Sequence, residues 1–165
     1  MRWTLWTLCS LACLSTTAKA DDYPARKAGL WEISMTVAGS PRQTKFCIDA
    51  ATDAAMYQAG MENSGIVCSR RDIVRSASTV TIDSVCTMGQ RTITTHMTTV
   101  FAGDTAYRTE NKSRIEPPIV AGRPDSITTQ DAKWVGPCPA DMLPGDMLMP
   151  NGVKMNVIAA QKGGK

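Results

Sequence analysis

Gly29-Leu30-Trp31-Glu32-Ile33-Ser34-Met35-Thr36-Val37 alternates without a break. Trp31, Ile33, Met35 and Val37 share one face, and Glu32, Ser34 and Thr36 share the other. A side-chain period of two marks a strand with one face in a core and one in water. Ala38-Gly39-Ser40-Pro41 carries turn chemistry, and Gln43 to Asp49 returns as a second strand, so the pair reads as a hairpin.

The same period recurs downstream. Val67–Val74, Thr79–Cys86, Arg91–Phe101, Thr105–Ile115 and Ser126–Val135 read as strands separated by short turns and one longer Pro/Gly-rich loop at 117–124. In Thr79–Cys86, Val80, Ile82 and Cys86 fall on one face, which points Cys86 inward. In Arg91–Phe101, Ile93, Met97 and Phe101 face one way and Thr92, Thr94, His96 and Thr98 the other. Threonines at that density suit a pleated surface with one side in water. Ala50–Met61 is rich in alanine and has Asp49 or Thr52 as an N-cap, which predicts one short helix. The expected fold is mainly β: a curved antiparallel sheet or incomplete β-barrel with one short helix and an irregular tail. The tail follows Cys138, is broken by Pro139, Pro144, Gly145, Pro150 and Gly152, and ends in a short strand at Val153–Ile158.

Residues 1–20 have the pattern of a secretory signal. Arg2 precedes an apolar run from Trp3 to Leu14, and Ala18-Lys19-Ala20 offers a small-x-small cleavage site before Asp21. The run is well short of the ~20 residues a bilayer span needs. A rival lipoprotein box, Ser10-Leu11-Ala12-Cys13, has Ser10 where a leucine is usual and would cut the apolar segment short. Residues 21–28 then read as a flexible lead-in, 29–160 as a single domain and 161–165 as a frayed end. The expected location is periplasmic or secreted, with no membrane span in the mature chain. Loss of Arg2 and Lys19 takes the formal net charge from +3 to +1. So balanced a surface speaks against nucleic acid, which calls for a concentrated basic face.

Cleavage leaves Cys47, Cys68, Cys86 and Cys138. No Cys-x-x-Cys pair occurs among them, so structural disulfides fit better than a metal quartet or a redox dithiol. Four cysteines allow three pairings. Cys47–Cys68 with Cys86–Cys138 is the expected one, because the first bridge would clamp both ends of the helical insert and the second would tie the tail to a central strand.

His96, the one histidine, is the obvious general-base candidate, but it sits on the threonine-rich face with no acid close in sequence to orient it. No nucleophile elbow or phosphate loop occurs, so the expectation is that the protein is not an enzyme and uses no cofactor. Met142, Met147 and Met149 crowd the tail. Thioethers are soft ligands for Cu(I), with His96 as a further donor, but methionine also fills irregular apolar gaps, and that is the preferred reading. Trp31 and Trp134, together with Met147 and Met149, are candidates to line a ligand site, the tryptophans otherwise serving as core.

Gly29-Leu30-Trp31-Glu32-Ile33, the cysteines that follow, the Gly103-Asp104 turn before Tyr107 and the final Gly136-Pro137-Cys138 together resemble the domain of unknown function 3617 family, exported proteins of Gram-negative bacteria. The tail from Cys138 through Pro144-Gly145-Asp146 to Asn151-Gly152 resembles one branch of it. The resemblance implies an envelope location and a disulfide-bearing β-rich domain, and no reaction. The expected function is a non-catalytic binding or interaction module that holds an apolar small molecule or a segment of an envelope protein on its curved sheet. The alternatives are Cu(I) handling by the tail or an envelope scaffold without a small ligand.

Overall fold

The computed structural model describes residues 24–37, 39–53, 55 and 66–163. The expected signal segment and the second half of the expected helix lie outside them. Among the described residues nine strands form one antiparallel sheet: β1 (Gly29–Val37), β2 (Ser40–Ile48), β3 (Ile66–Arg75), β4 (Thr79–Met88), β5 (Arg91–Ala102), β6 (Ala106–Glu116), β7 (Asp125–Gly136), β8 (Asp146–Leu148) and β9 (Lys154–Asn156). Their order is β3-β4-β5-β6-β7-β1-β2-β8-β9. The end strands β3 and β9 do not pair, so the sheet is open. A meander from β3 to β7 thus docks against the β1–β2 hairpin, which carries the tail on its far side.

Burial follows the period of two. Along β5 and β6 half-buried or buried residues alternate with exposed ones, so the sheet has an inner and an outer face. The inner face holds two linked clusters. Trp31, Ile33, Ile48 and Ala132 form the first, and Val80, Ile82 and Phe101 the second. Tyr107 packs against both, with its ring centroid 5.8 Å from Trp31 and 5.6 Å from Phe101. Loss of Phe101 to alanine should cost about 3–5 kcal/mol, the usual figure for a buried aromatic.

A buried ion pair closes this end of the inner face. Arg26 donates from its backbone N–H to Asp53 Oδ2 at 3.0 Å and from Nε to Oδ1 at 2.7 Å, and its Nη1 donates to the Tyr107 hydroxyl at 3.2 Å. The guanidinium lies 5.7 Å from the centroids of both Trp31 and Tyr107. Burial pushes the Tyr107 phenol above its ordinary value, against the pull of the Arg26 charge. Asp53 comes from a helical turn at 50–53, as the alanine-rich stretch predicts. Its start is a reciprocal cap: Thr52 N–H donates to Asp49 Oδ1, and Asp49 N–H donates to Thr52 Oγ1, both at 2.8 Å.

The disulfides are Cys47–Cys138 and Cys68–Cys86, which corrects the expected pairing of Cys47 with Cys68 and Cys86 with Cys138. The reason is strand order. Cys68 and Cys86 stand directly opposite on β3 and β4, and Cys47 at the end of β2 faces the end of β7 across β1, where Cys138 follows. The longer bridge therefore staples the meander to the hairpin. Two disulfides indicate an oxidising, non-cytoplasmic compartment.

The tail departs from its expected form in two places. Asp146–Leu148 is a strand against β2, and Val157–Gly163 is a helix where a strand end and frayed residues were expected. Asn156 caps that helix, its side-chain oxygen accepting from Ala159 N–H at 2.9 Å. No described helix is long and apolar enough to cross a membrane.

Candidate functional site

The two tryptophans singled out by sequence hold the lead-in. Trp31 is 1% exposed, and its indole donates to the Lys27 carbonyl at 2.8 Å. Trp134, directly opposite it on β7, donates to the Ala28 carbonyl at 3.0 Å and carries Lys27 Nζ 3.9 Å from its ring centroid. Both rings are therefore committed to fixing residues 27–28 against the sheet.

The methionines are apart from His96. Met142 is buried, while Met147 pairs with Phe46 on one side and Met155 on the other. Met149 is exposed just beyond β8. His96 is on β5, five strand spacings from β8, or roughly 24 Å at ~4.8 Å each. It cannot share an ion with them. No group of three His, Cys, Asp or Glu residues among the described ones could hold a metal.

His96 does have an acid. Asp83 on β4 stands opposite, with its Oδ1 2.8 Å from His96 Nδ1, and Thr98 Oγ1 lies 3.4 Å from Nε2. The order Asp–His–Thr is that of a nucleophilic triad, but the rest of such a site is missing. Both Asp83 and His96 are open to solvent, at 43% and 52%. β5 is paired along both edges, so its N–H groups are taken by the ladder and none is left to hold an oxyanion. The pair belongs to a charge pattern that runs across the whole outer face. Arg108 grips Asp131 with Nη1 at 2.8 and 2.9 Å, Arg114 bridges Glu116 and Asp125, and Lys112 meets Glu110 at 2.8 Å.

One cavity, of about 620 Å³, opens on that outer face over β5, β6, β7 and β1. Small residues make it: Ser34, Ala102 and Ala106 leave a trough between longer neighbours. Phe101, Tyr107 and Ala132 also line it, and because their side chains pack in the core they do so through the backbone. Two ion pairs form its rim, Glu32–Lys133 at 3.1 Å and Arg108–Asp131. Each rim charge has its counter-charge in the strand beside it, so the trough presents an apolar floor with no net demand for an ion. Its volume is that of a small-molecule site. Sequence reading placed Glu32 and Ser34 together on the exposed face, but Ala106 and Lys133 come to them only through strand order.

Fold and cavity define a disulfide-stapled, open antiparallel-sheet domain with a neutral trough on its solvated face. The chain belongs to the family described as protein of unknown function DUF3617, whose model matches residues 26–138. The match runs from the buried Arg26 to the bridged Cys138, so β8, β9 and the last helix lie beyond it. No curated protein and no solved structure matches the chain.

Proposed function

We propose that the protein is a non-catalytic binding module of the bacterial periplasm, delivered there by the signal segment at residues 1–20. It holds a neutral, apolar small molecule or the apolar side chains of an envelope partner in the outer-face trough. The observation that carries this reading is the trough itself: about 620 Å³ over an alanine-lined floor, between rim charges that already neutralise one another. Burying apolar surface there gains roughly 25 cal/mol per Å², and the rim pairs discriminate against charged groups by offering them no free partner. The non-catalytic reading is supported by outer-face charges that pair with one another and by β5, the strand of His96, whose backbone donors are spent in the ladder.

The test is a titration of the mature, oxidised protein with a neutral fluorescent apolar probe, N-phenylnaphthylamine. Saturable binding that is lost in Ala106→Trp, with the fold retained by circular dichroism, supports the reading. Binding unaffected by Ala106→Trp, or none at all, contradicts it.

A further inference from the structure

The two faces of the sheet differ in charge as well as in burial. Every Asp and Glu of β1–β7 points to the outer face, where Lys, Arg and His neighbours pair with them. The inner face of the same strands carries charge of one sign only: Arg42 on β2, Arg71 and Arg75 on β3, and Arg91 on β5. Asp53, which the helical turn brings over this face, is taken up by Arg26.

Arg71 and Arg91 are half-buried, and neither has a carboxylate partner among the described residues. The Arg91 Nε is fully shielded and has no hydrogen-bond acceptor. A shielded N–H with nothing to donate to is costly, and native proteins seldom keep one.

Register places these arginines around a definite surface. Arg71 begins a row of hydroxyls, Ser84, Thr95 and Ser113, that crosses the inner face on β4, β5 and β6. The row between it and Arg91 holds Ile93 opposite Ile115, beside the Cys68–Cys86 bridge. An anionic group with an apolar chain is the chemistry such a surface complements. The arginines and hydroxyls would take the acid, and the isoleucines would cover the chain.

We propose that this half of the inner face binds an anionic single-chain lipid, with its acidic headgroup between Arg71 and Arg91 and its chain along Ile93 and Ile115. The site is separate from the outer trough and has the opposite preference, for charge over neutrality.

Titration calorimetry with dodecanoate and with dodecanol on the oxidised protein tests it. Dodecanoate should bind at least about tenfold tighter than dodecanol, the usual worth of a hydrogen bond to a charged group. The double variant Arg71→Gln/Arg91→Gln should weaken dodecanoate by at least about tenfold, while Arg71→Lys/Arg91→Lys, which keeps the charge, retains most of the binding. Bound dodecanoate should not displace N-phenylnaphthylamine from the outer face. Equal affinity for the alcohol, indifference to the glutamine variants, absence of binding, or competition with the neutral probe would each overturn the proposal.

Discussion

Gly29 is pressed against Gly136. A Cβ at Gly29 would collide with the Gly136 carbonyl and with the indole nitrogen of Trp134, and Gly29 also holds φ +133°, a conformation that side chains rarely adopt. The two glycines begin β1 and end β7, and the Cys47–Cys138 bridge closes within two residues of the second. This is where the meander is fastened to the hairpin, and it gives the Gly-Leu-Trp signature a steric meaning.

Gly29→Ala should therefore destabilise the fold by at least about 2 kcal/mol, the sum of backbone strain and overpacking. Gly103→Asn is the control. Its φ is +63° with open space around it, a geometry asparagine tolerates, and its cost should stay below about 1 kcal/mol. Urea denaturation of the two variants makes the comparison.

Removing one partner of the Arg26–Asp53 pair should be severe. Arg26→Ala leaves a buried carboxylate, and Asp53→Ala leaves a buried guanidinium beside two aromatic rings, each at a cost of about 3–5 kcal/mol. Arg26→Met with Asp53→Leu should cost less than the two alanine changes together. A double-mutant cycle by thermal denaturation reads the coupling.

The disulfides contribute unequally. Loops of 91 and 18 residues correspond to about 4.5 and about 3 kcal/mol of restricted unfolded-chain entropy. Replacing Cys47 and Cys138 by alanine should lower the melting temperature more than replacing Cys68 and Cys86. Peptide mapping without reduction should recover the 47–138 and 68–86 linkages.

Acid should loosen the tail and the helical turn. The backbone N–H of Leu143, and then the Asn156 side chain, hold the Asp146 carboxyl below its ordinary value, and Thr52 does the same for Asp49. A carboxylate whose folded value is depressed contributes fully above the unfolded value near pH 4 and loses that contribution as pH falls through the lower, folded one. Stability should be level from neutrality to about pH 5 and decline below about pH 4, less steeply in Asp146→Asn. Denaturation midpoints across pH measure it.

Much of the sheet was legible because alternation is a local signal. Arg91–Phe101 became β5 with one residue added, and Cys86 does point inward. The Asp83–His96 contact was within reach too: the Met88–Arg91 pairing around Gly89-Gln90 sets a register that puts Asp83 opposite His96. Ending the strand at Cys86, short of Met88, blurs that register. The disulfide pairing and the trough were out of reach, because both depend on β1 lying between β7 and β2. Strand order is a long-range choice that no residue of Gly29–Val37 declares. The C-terminal helix is hidden in the sequence because Asn156 both ends β9 and caps the helix, so the strand pattern runs straight into it.

The most direct test is native mass spectrometry of the oxidised protein purified from cells that produce it, beside Ala106→Trp prepared in the same way. A neutral organic adduct on the first and none on the second is the predicted result. Bare protein in both samples, or the same adduct on both, would contradict a ligand held over Ala106.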